Sequence, residues 1–300
     1  MPVNNVPAFI DNIDGRNKKN KLFLVLVIAM SVLTVMPIIL IVGKIIISGI
    51  GQMNFNFFVQ TSPDSLQAMS AVANNETIPG GIANGILGTF LIVIVSSVMA
   101  IPAGIMIGIY LYENQGRRYS NFLRNLTEIL QGVPSIVLGI ISYLWIVKNI
   151  TNGFSAFAGS VALSIMMLPM IIRSTEETMK MIPNEIREAA FAMGTPYHKV
   201  ILRVLIPTGF NGLSTGILLS ISRILGETAP LMMTALGSTV INYNITKPTS
   251  AVPLLIWEFY NDPNMVKLIW SSALFLMIFV LTLNILSGRL AAKPKITRKR

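Results

Sequence analysis

"ILGTFLIVIVSSVMAIPAGIMIGIYL", residues 86–111, contains no Asp, Glu, Lys or Arg. A helix needs about 20 predominantly apolar residues to cross the hydrocarbon of a bilayer. This stretch exceeds that and reads as a transmembrane helix. Working outward, further apolar windows lie at 22–43, 133–147, 154–172, 209–236 and 266–286. The window at 133–147 is short, and is expected to borrow the helical-period stretch Phe122, Leu123, Leu126, Ile129 and Leu130 before it. The window at 22–43 is too long for a signal-peptide core and lacks a small-residue cleavage site after it, so it reads as a retained anchor.

Composition agrees. Of 300 residues, 53% are hydrophobic and 12% charged, whereas a soluble domain carries about 25% charged residues. The expected fold class is an all-α polytopic membrane protein with six transmembrane helices. With no cysteine, disulfides, thiolate metal sites and cysteine nucleophiles are excluded together. One histidine, His198, leaves little room for a histidine metal cluster, so neither metal nor cofactor is expected.

The net charge of +10 is informative through its placement. Arg16, Lys18, Lys19 and Lys21 precede span one. Arg117, Arg118 and Arg124 follow span two, and Arg173, Lys180, Arg187, Lys199 and Arg203 follow span four. Arg289, Lys293, Lys295, Arg298, Lys299 and Arg300 follow span six, while the other side holds only Lys44, Lys148, Lys247 and Lys267. The asymmetry places both termini and the even-numbered loops in the cytoplasm. The charge is then a topological address, and nucleic acid is not an expected partner. The outer loops, near 48–81, 149–153 and 237–265, are rich in Asn, Ser, Thr, Gly and Pro and read as solvated connections.

The loop after span four is dense in helix signals. Pro183 suits a first turn, Glu185 and Glu188 suit the helix dipole, and Gly194 suits a left-handed stop. Thr195 and Pro196 then open a second short helix that Pro207 is expected to end. Ala189, Ala190 and Ala192 make the first helix slim enough for another protein to approach. Physics alone equally allows an amphipathic hairpin on the lipid surface.

Glu188-Ala189-Ala190, Gly194 after three residues, and Val204-Leu205-Ile206-Pro207 after nine more resemble the EAA motif of bacterial ABC-transporter permeases. Val204 and Ile206 replace the usual Ile and Leu. The stretches at 80–113, 132–140 ("GVPSIVLGI"), 166–183 and 222–237 ("SRILGETAPLMMTALG") resemble the phosphate-specific members of that family, the PstA type more than the PstC type. The resemblance covers roughly residues 80–290. It implies an ABC importer (MetI-like) permease fold in a bacterial inner membrane, with residues 81–290 as the permease domain. Its coupling loop would be 174–208. Residues 1–80 would hold a basic segment, the first span and an outer loop, and 291–300 a basic tail. The implied partners are a second permease subunit of PstC type, two ATPase subunits of PstB type, an extracytoplasmic phosphate-binding protein of PstS type, phosphate and membrane lipid. Glu188, Ala189, Ala190 and Gly194 would couple to the ATPase.

Span five carries Arg223 and Glu227 amid apolar neighbours. A charge at the centre of a membrane helix costs roughly 2.5–3.5 kcal/mol on insertion scales, so it marks a functional position. Pro230 lacks an N–H and clashes with the carbonyl of Gly226, so a kink is expected there, with Glu227 and Thr228 in the turn. Arg223 is expected one turn earlier on the same face, its planar fork suited to two phosphate oxygens. Arg223, Glu227 and Thr228 are therefore the candidate pathway residues. The competing reading is that Arg223 and Glu227 only neutralise each other, and that Thr228 and Ser135 bond helix carbonyls.

No G-x-x-x-x-G-K-[ST] stretch exists, the sole Gly-Lys pair being Gly43-Lys44. The chain is expected to be no enzyme, with ATP hydrolysed by another subunit. An intramembrane hydrolase would need histidine near its chemistry, and His198 lies in the docking loop. A secondary transporter would leave that loop unexplained. An ABC permease for another oxyanion or small solute is the nearest rival.

Overall fold

The computed structural model describes residues 13–74 and 76–292. The segment before Ile13 and the basic residues Lys293, Lys295, Arg298, Lys299 and Arg300 lie outside the described residues. The chain divides into two units, Met1–Ser48 and Gly49–Arg300.

The first unit is carried by α1 (Ile13–Gly49), which contains Pro37. Between Leu22 and Gly43 it carries no charged residue and exposes apolar side chains all round, as a helix surrounded by lipid must. The Ser31 and Thr34 hydroxyls donate to the carbonyls of Val27 and Met30, four residues back, which satisfies them without water.

The second unit holds the remaining helices. Two short helices, α2 (Phe55–Val59) and α3 (Ser65–Ala73), precede α4 (Ala83–Glu113). Asn54 caps α2 through the Phe57 N–H, and Asp64 with Gln67 forms a capping box on α3. Next come α5 (Arg118–Gly132) and α6 (Ser135–Ser142), the latter running on through a π-turn at Tyr143–Val147. After α7 (Ala156–Lys180) come α8 (Asn184–Ala192), α9 (Tyr197–Val200), a second π-turn at Ile201–Leu205, and the short α10 (Ile206–Thr208). The chain closes with α11 (Phe210–Ile224), α12 (Ala229–Thr234), α13 (Val252–Tyr260) and α14 (Val266–Ala292).

Four helices, α1, α4, α7 and α14, are long and apolar enough to cross a bilayer, and two bent pairs bring the number to six when each pair is one span. One of those pairs departs from the sequence expectation. The stretch at 118–132 does not extend the short third window in a straight line. It forms the separate helix α5, bent by 102° from the segment beginning at Ser135. Pro134 explains the corner: it forces extended backbone on Val133 (φ −68°, ψ 130°) and cannot donate to a continuing helix. The arm from Ser135 to Val147 is about 20 Å long at 1.5 Å per residue, short of a full crossing.

The centre of the second unit is the contact between α4 and α7, where glycines allow close approach. A Cβ at Gly104 would stand 2.6 Å from Ile171 Cγ2, and one at Gly108 2.6 Å from Thr175 Cβ and 2.7 Å from the Ile172 carbonyl oxygen. On the other flank of α7, Gly212 and Gly216 of α11 seat Thr178 and Ser174. Ser96 and Ser160 tie α4 to α7 by hydrogen bonds to the Ser160 and Ile92 carbonyls. Small residues bringing backbones together, with hydroxyls bonding across, are what hold helices in an apolar solvent where no hydrophobic force acts between them.

The connection at 237–265 is not a merely solvated loop. Its residues Thr249, Ser250 and Ala251 and most of α13 are buried. Carbonyls of Ile245 and Lys247 accept from the Phe157 and Ala156 N–H groups, and Thr234 accepts from Ser155, so the start of α7 is capped by this segment. Val252, Leu254, Leu255 and Phe259 explain the return to the bundle, since they form an apolar face on α13.

Candidate translocation and docking sites

The helix expected to kink near Pro230 instead stops. α11 ends at Ile224, residues 225–228 form a turn, and α12 restarts at Ala229 with Pro230 in its first turn. Tight backbone bonds close the turn, from the Gly226 N–H to the Arg223 carbonyl and from Glu227 to Ile224. Pro230 is buried against α6: a Cβ on Gly139 would stand 2.7 Å from Pro230 Cα. The "GVPSIVLGI" and "GETAPL" stretches are thus packed on one another, and Gly139 is the residue that permits it.

This break separates the two charges that the sequence placed on one helical face. Arg223 lies in the last turn of α11, whereas Glu227 lies beyond the helix end, so four-residue spacing no longer aligns them. No ion pair joins them among the described residues. The Arg223 guanidinium is exposed, and it makes a weak side-chain contact, Nη1 at 3.6 Å from Met170 Sδ on α7. The Glu227 carboxylate is half-buried, with no ion-pair partner among the described residues. Thr228 and Ser135, expected to bond helix carbonyls, direct their hydroxyls to none among the described residues. Both head short helices, where no preceding turn offers a carbonyl at the right distance. Three residues beyond Met170 on α7, Arg173 pairs with Glu177 at 3.0 Å, adding a polar face that the sequence reading had assigned to topology alone.

The second site is the corner of α8 and α9. Gly194 takes the left-handed conformation expected of it, with φ of 74°, and nothing stands near its Cα face. Pro183 and Pro196 sit one position earlier than expected, in the cap positions of α8 and α9. Pro207 does not end the second helix. The helix runs on from Tyr197 through the π-turn and past Pro207 to Thr208, and the 72° bend falls at Gly209. Glu188, Ala189, Ala192 and Gly194 face solvent. Ala190 turns inward and packs with Met179, Ile182, Val200 and Leu205, so its smallness serves internal packing and only part of the alanine run is available to a partner. Phe191 and Tyr197 stack with their rings 6.5 Å apart and 6° from parallel, closing the corner.

Two ion-pair clusters escaped the sequence reading. Glu176 on α7 accepts from Arg124 of α5 at 2.7 Å and from Lys180 at 2.6 Å. Glu113, the last residue of α4, accepts from Arg187 of α8 at 2.7 Å. Burial lowers the affinity of Arg187 for its proton, but the Glu113 charge and the Tyr112 hydroxyl outweigh it and hold the guanidinium above its ordinary value.

Residues 100–293 match the family of binding-protein-dependent transport system inner membrane components. The chain belongs to that family. The phosphate transport system permease protein PstA of Yersinia pestis is 36% identical over 93% of this chain and 92% of its own length. PstA 1 of Mycobacterium tuberculosis (strain CDC 1551 / Oshkosh) is 38% identical over 70% of each chain. Among solved structures, an inward-facing MetNI methionine ABC transporter aligns with a TM-score of 0.57 at 20% identity, over 69% of this chain and 93% of its own. An amino acid ABC transporter aligns with a TM-score of 0.51 at 14% identity, over 78% and 100%. The fold is that of the MetI-like ABC permeases, all-helical among the described residues. An inner membrane component of this kind is a multi-pass transport subunit and works with other ABC components. Its two candidate sites are the polar break after α11 and the alanine-bearing corner.

Proposed function

We propose that this chain is one half of the translocation pore of an ATP-driven phosphate importer. Its relatives at 34–38% identity are named as phosphate transport permeases. One observation in the structure carries the site assignment: Arg223 is an exposed cation on an apolar membrane segment, with no acidic partner among the described residues. Such a group does not face lipid; it faces protein or a wet cavity. The pore surface shared with a second permease subunit of PstC type supplies that cavity. There the guanidinium presents a planar pair of donors to an oxyanion. Glu227 and Thr228, in the turn beside it, supply a carboxylate and a hydroxyl that are free to meet a phosphate hydroxyl.

The corner end of the bundle faces the cytoplasm in this reading, since Arg117, Arg118, Arg124, Arg187, Lys199 and Arg203 gather there. Glu188, Ala189 and Gly194 then meet a cytoplasmic ATPase of PstB type, while Ala190 supports them from within. Capture of phosphate belongs to a separate extracytoplasmic protein of PstS type.

The test is uptake of labelled orthophosphate into proteoliposomes holding this chain with its partner permease, ATPase and binding protein. Arg223→Ala is expected to abolish both uptake and phosphate-stimulated ATP turnover while the complex stays assembled. Undiminished uptake by that variant refutes the site, and failure of wild type to respond to phosphate refutes the substrate.

A further inference from the structure

The docking corner must pass its movement to the spans, and the structure shows where it is tied to them. Between the helices α8 and α9 and any membrane-spanning helix, a single ion pair exists among the described residues: Arg187 Nη2 to Glu113 Oε2, 2.7 Å. The two partners are unlike a surface pair. The Glu113 side chain is 8% exposed and that of Arg187 30%. The guanidinium carbon lies 5.9 Å from the Tyr112 ring and 5.8 Å from the Phe191 ring, so the cation is held between an aromatic of the span and an aromatic of the docking helix. Tyr197, stacked on Phe191 across the Gly194 corner, faces the same carboxylate. The second oxygen of Glu113, Oε1, is buried with no hydrogen-bond partner among the described residues.

We infer that Glu113 and Arg187 form the latch by which the docking corner pulls on α4, making both positioning residues for coupling. The inference rests on the proposed function, because it assigns a route for force delivered at Glu188 and Ala189.

Three features favour a latch over an ordinary stabilising pair. Arg187 immediately precedes the exposed Glu188 and Ala189, so any displacement of that face moves the guanidinium with it. Glu113 is the terminal residue of α4, whose Gly104 and Gly108 are seated on α7; a pull there acts on a close-packed helix pair that cannot yield locally. Oε1 of Glu113 keeps room for a second donor, and the Tyr197 hydroxyl, which already interacts with this carboxylate, is the group placed to supply it.

The experiment uses the complete transporter in proteoliposomes and reads phosphate taken up per ATP hydrolysed, ATPase retained on purification, and thermal stability. Arg187→Met and Glu113→Gln singly are expected to lower uptake per ATP roughly five- to tenfold with the ATPase still bound. The double variant Glu113→Gln, Arg187→Met leaves no buried charge unpaired, so it should melt near wild type and yet remain uncoupled. Exchange of the charges, Glu113→Arg with Arg187→Glu, should restore at least half of the coupling. Wild-type coupling in the neutral double variant overturns the latch, because stability alone then accounted for the pair. Loss of activity that only follows loss of bound ATPase overturns it too, as does failure of the charge exchange to restore coupling. A wild-type complex indifferent to phosphate would instead strike at the proposed function.

Discussion

Replacing Gly108 by alanine adds one methyl group to the tightest part of the bundle, and its cost can be worked from the geometry. The new Cβ would stand 2.6 Å from Thr175 Cβ, 2.7 Å from the Ile172 carbonyl oxygen and 2.8 Å from Thr175 Cγ2. Carbon atoms in contact prefer about 3.5–4.0 Å, so α4 and α7 must separate by roughly 1 Å. Rotation of a side chain cannot relieve it, because one of the three contacts is backbone. Overpacking of this kind costs about 1–3 kcal/mol. Against it stands the gain in helix propensity of alanine over glycine, about 0.8–1.0 kcal/mol. A net loss of about 1–2 kcal/mol is expected, since the backbone contact favours the upper half of the range. Gly288, on α14, provides the control: nothing lies within 4 Å of its Cβ position, so Gly288→Ala should gain up to about 1 kcal/mol from propensity alone. Thermal unfolding of the two purified variants in the same detergent measures the contrast. Gly108→Ala melting at or above wild type, level with Gly288→Ala, would show that the α4–α7 contact is looser than the geometry states.

The other predictions concern the two sites and the returning segment. Gly194→Leu meets no clash, but its φ of 74° costs a side chain about 1–2 kcal/mol; ATPase co-purification should fall while the membrane bundle melts as before. Burial raises the carboxyl of Glu258, on α13, above its ordinary value of 4.5. The folded state therefore loses stability as pH rises through that raised value, and is spared the loss below the ordinary one. Glu258→Gln should accordingly melt higher than wild type at pH 8 and level with it near pH 4, and a constant difference across that range would refute the assignment. Glu227→Gln should weaken discrimination against fully deprotonated oxyanions in the uptake assay, and unchanged selectivity would remove Glu227 from the pathway.

The sequence made the membrane class legible because lipid imposes a length and a composition on every crossing segment. It made the corner legible because left-handed backbone calls for glycine at one position, Gly194, and the structure places it there. What it hid follows from the same local rules meeting at one point. A kink at Pro230 is the expected result in a continuous helix, but Gly226 and Pro230 together, with Pro230 wedged against Gly139 of another helix, end α11 outright. The alignment of Arg223 with Glu227 depended on an unbroken helix and disappeared with it. The return of α13 was hidden because polar residues at 238–250 mask a short apolar run that is too brief for a span. Glu113 and Arg187 were hidden for a different reason. They are 74 residues apart, and each taken alone reads as a charge marking the edge of the membrane.

The packing gives the corner and the charged break a common mechanical path. α7 is gripped on one flank by Gly104 and Gly108 of α4, and on the other by Gly212 and Gly216 of α11. Such contacts resist sliding, since each glycine face holds a side chain that would collide with the next turn. α11 ends one residue beyond Arg223, so a displacement imposed on α4 through Glu113 reaches the guanidinium with no flexible element between them. The first soft joint on the route is the turn at 225–228. Arg223, the proposed pore cation, lies in the last turn before that joint, and α12 beyond it is held to α6 at Pro230 and Gly139 and to the start of α7 through the Thr234 carbonyl, which accepts from the Ser155 N–H. In the proposed cycle the turn at 225–228 is the hinge, so movement of α11 relative to α12 is expected to alter the distance between Arg223 and Glu227. Distance measurements between spin labels at Ile221 and Met232 follow it directly: a separation that is the same with and without ATP bound to the partner subunits would refute the hinge.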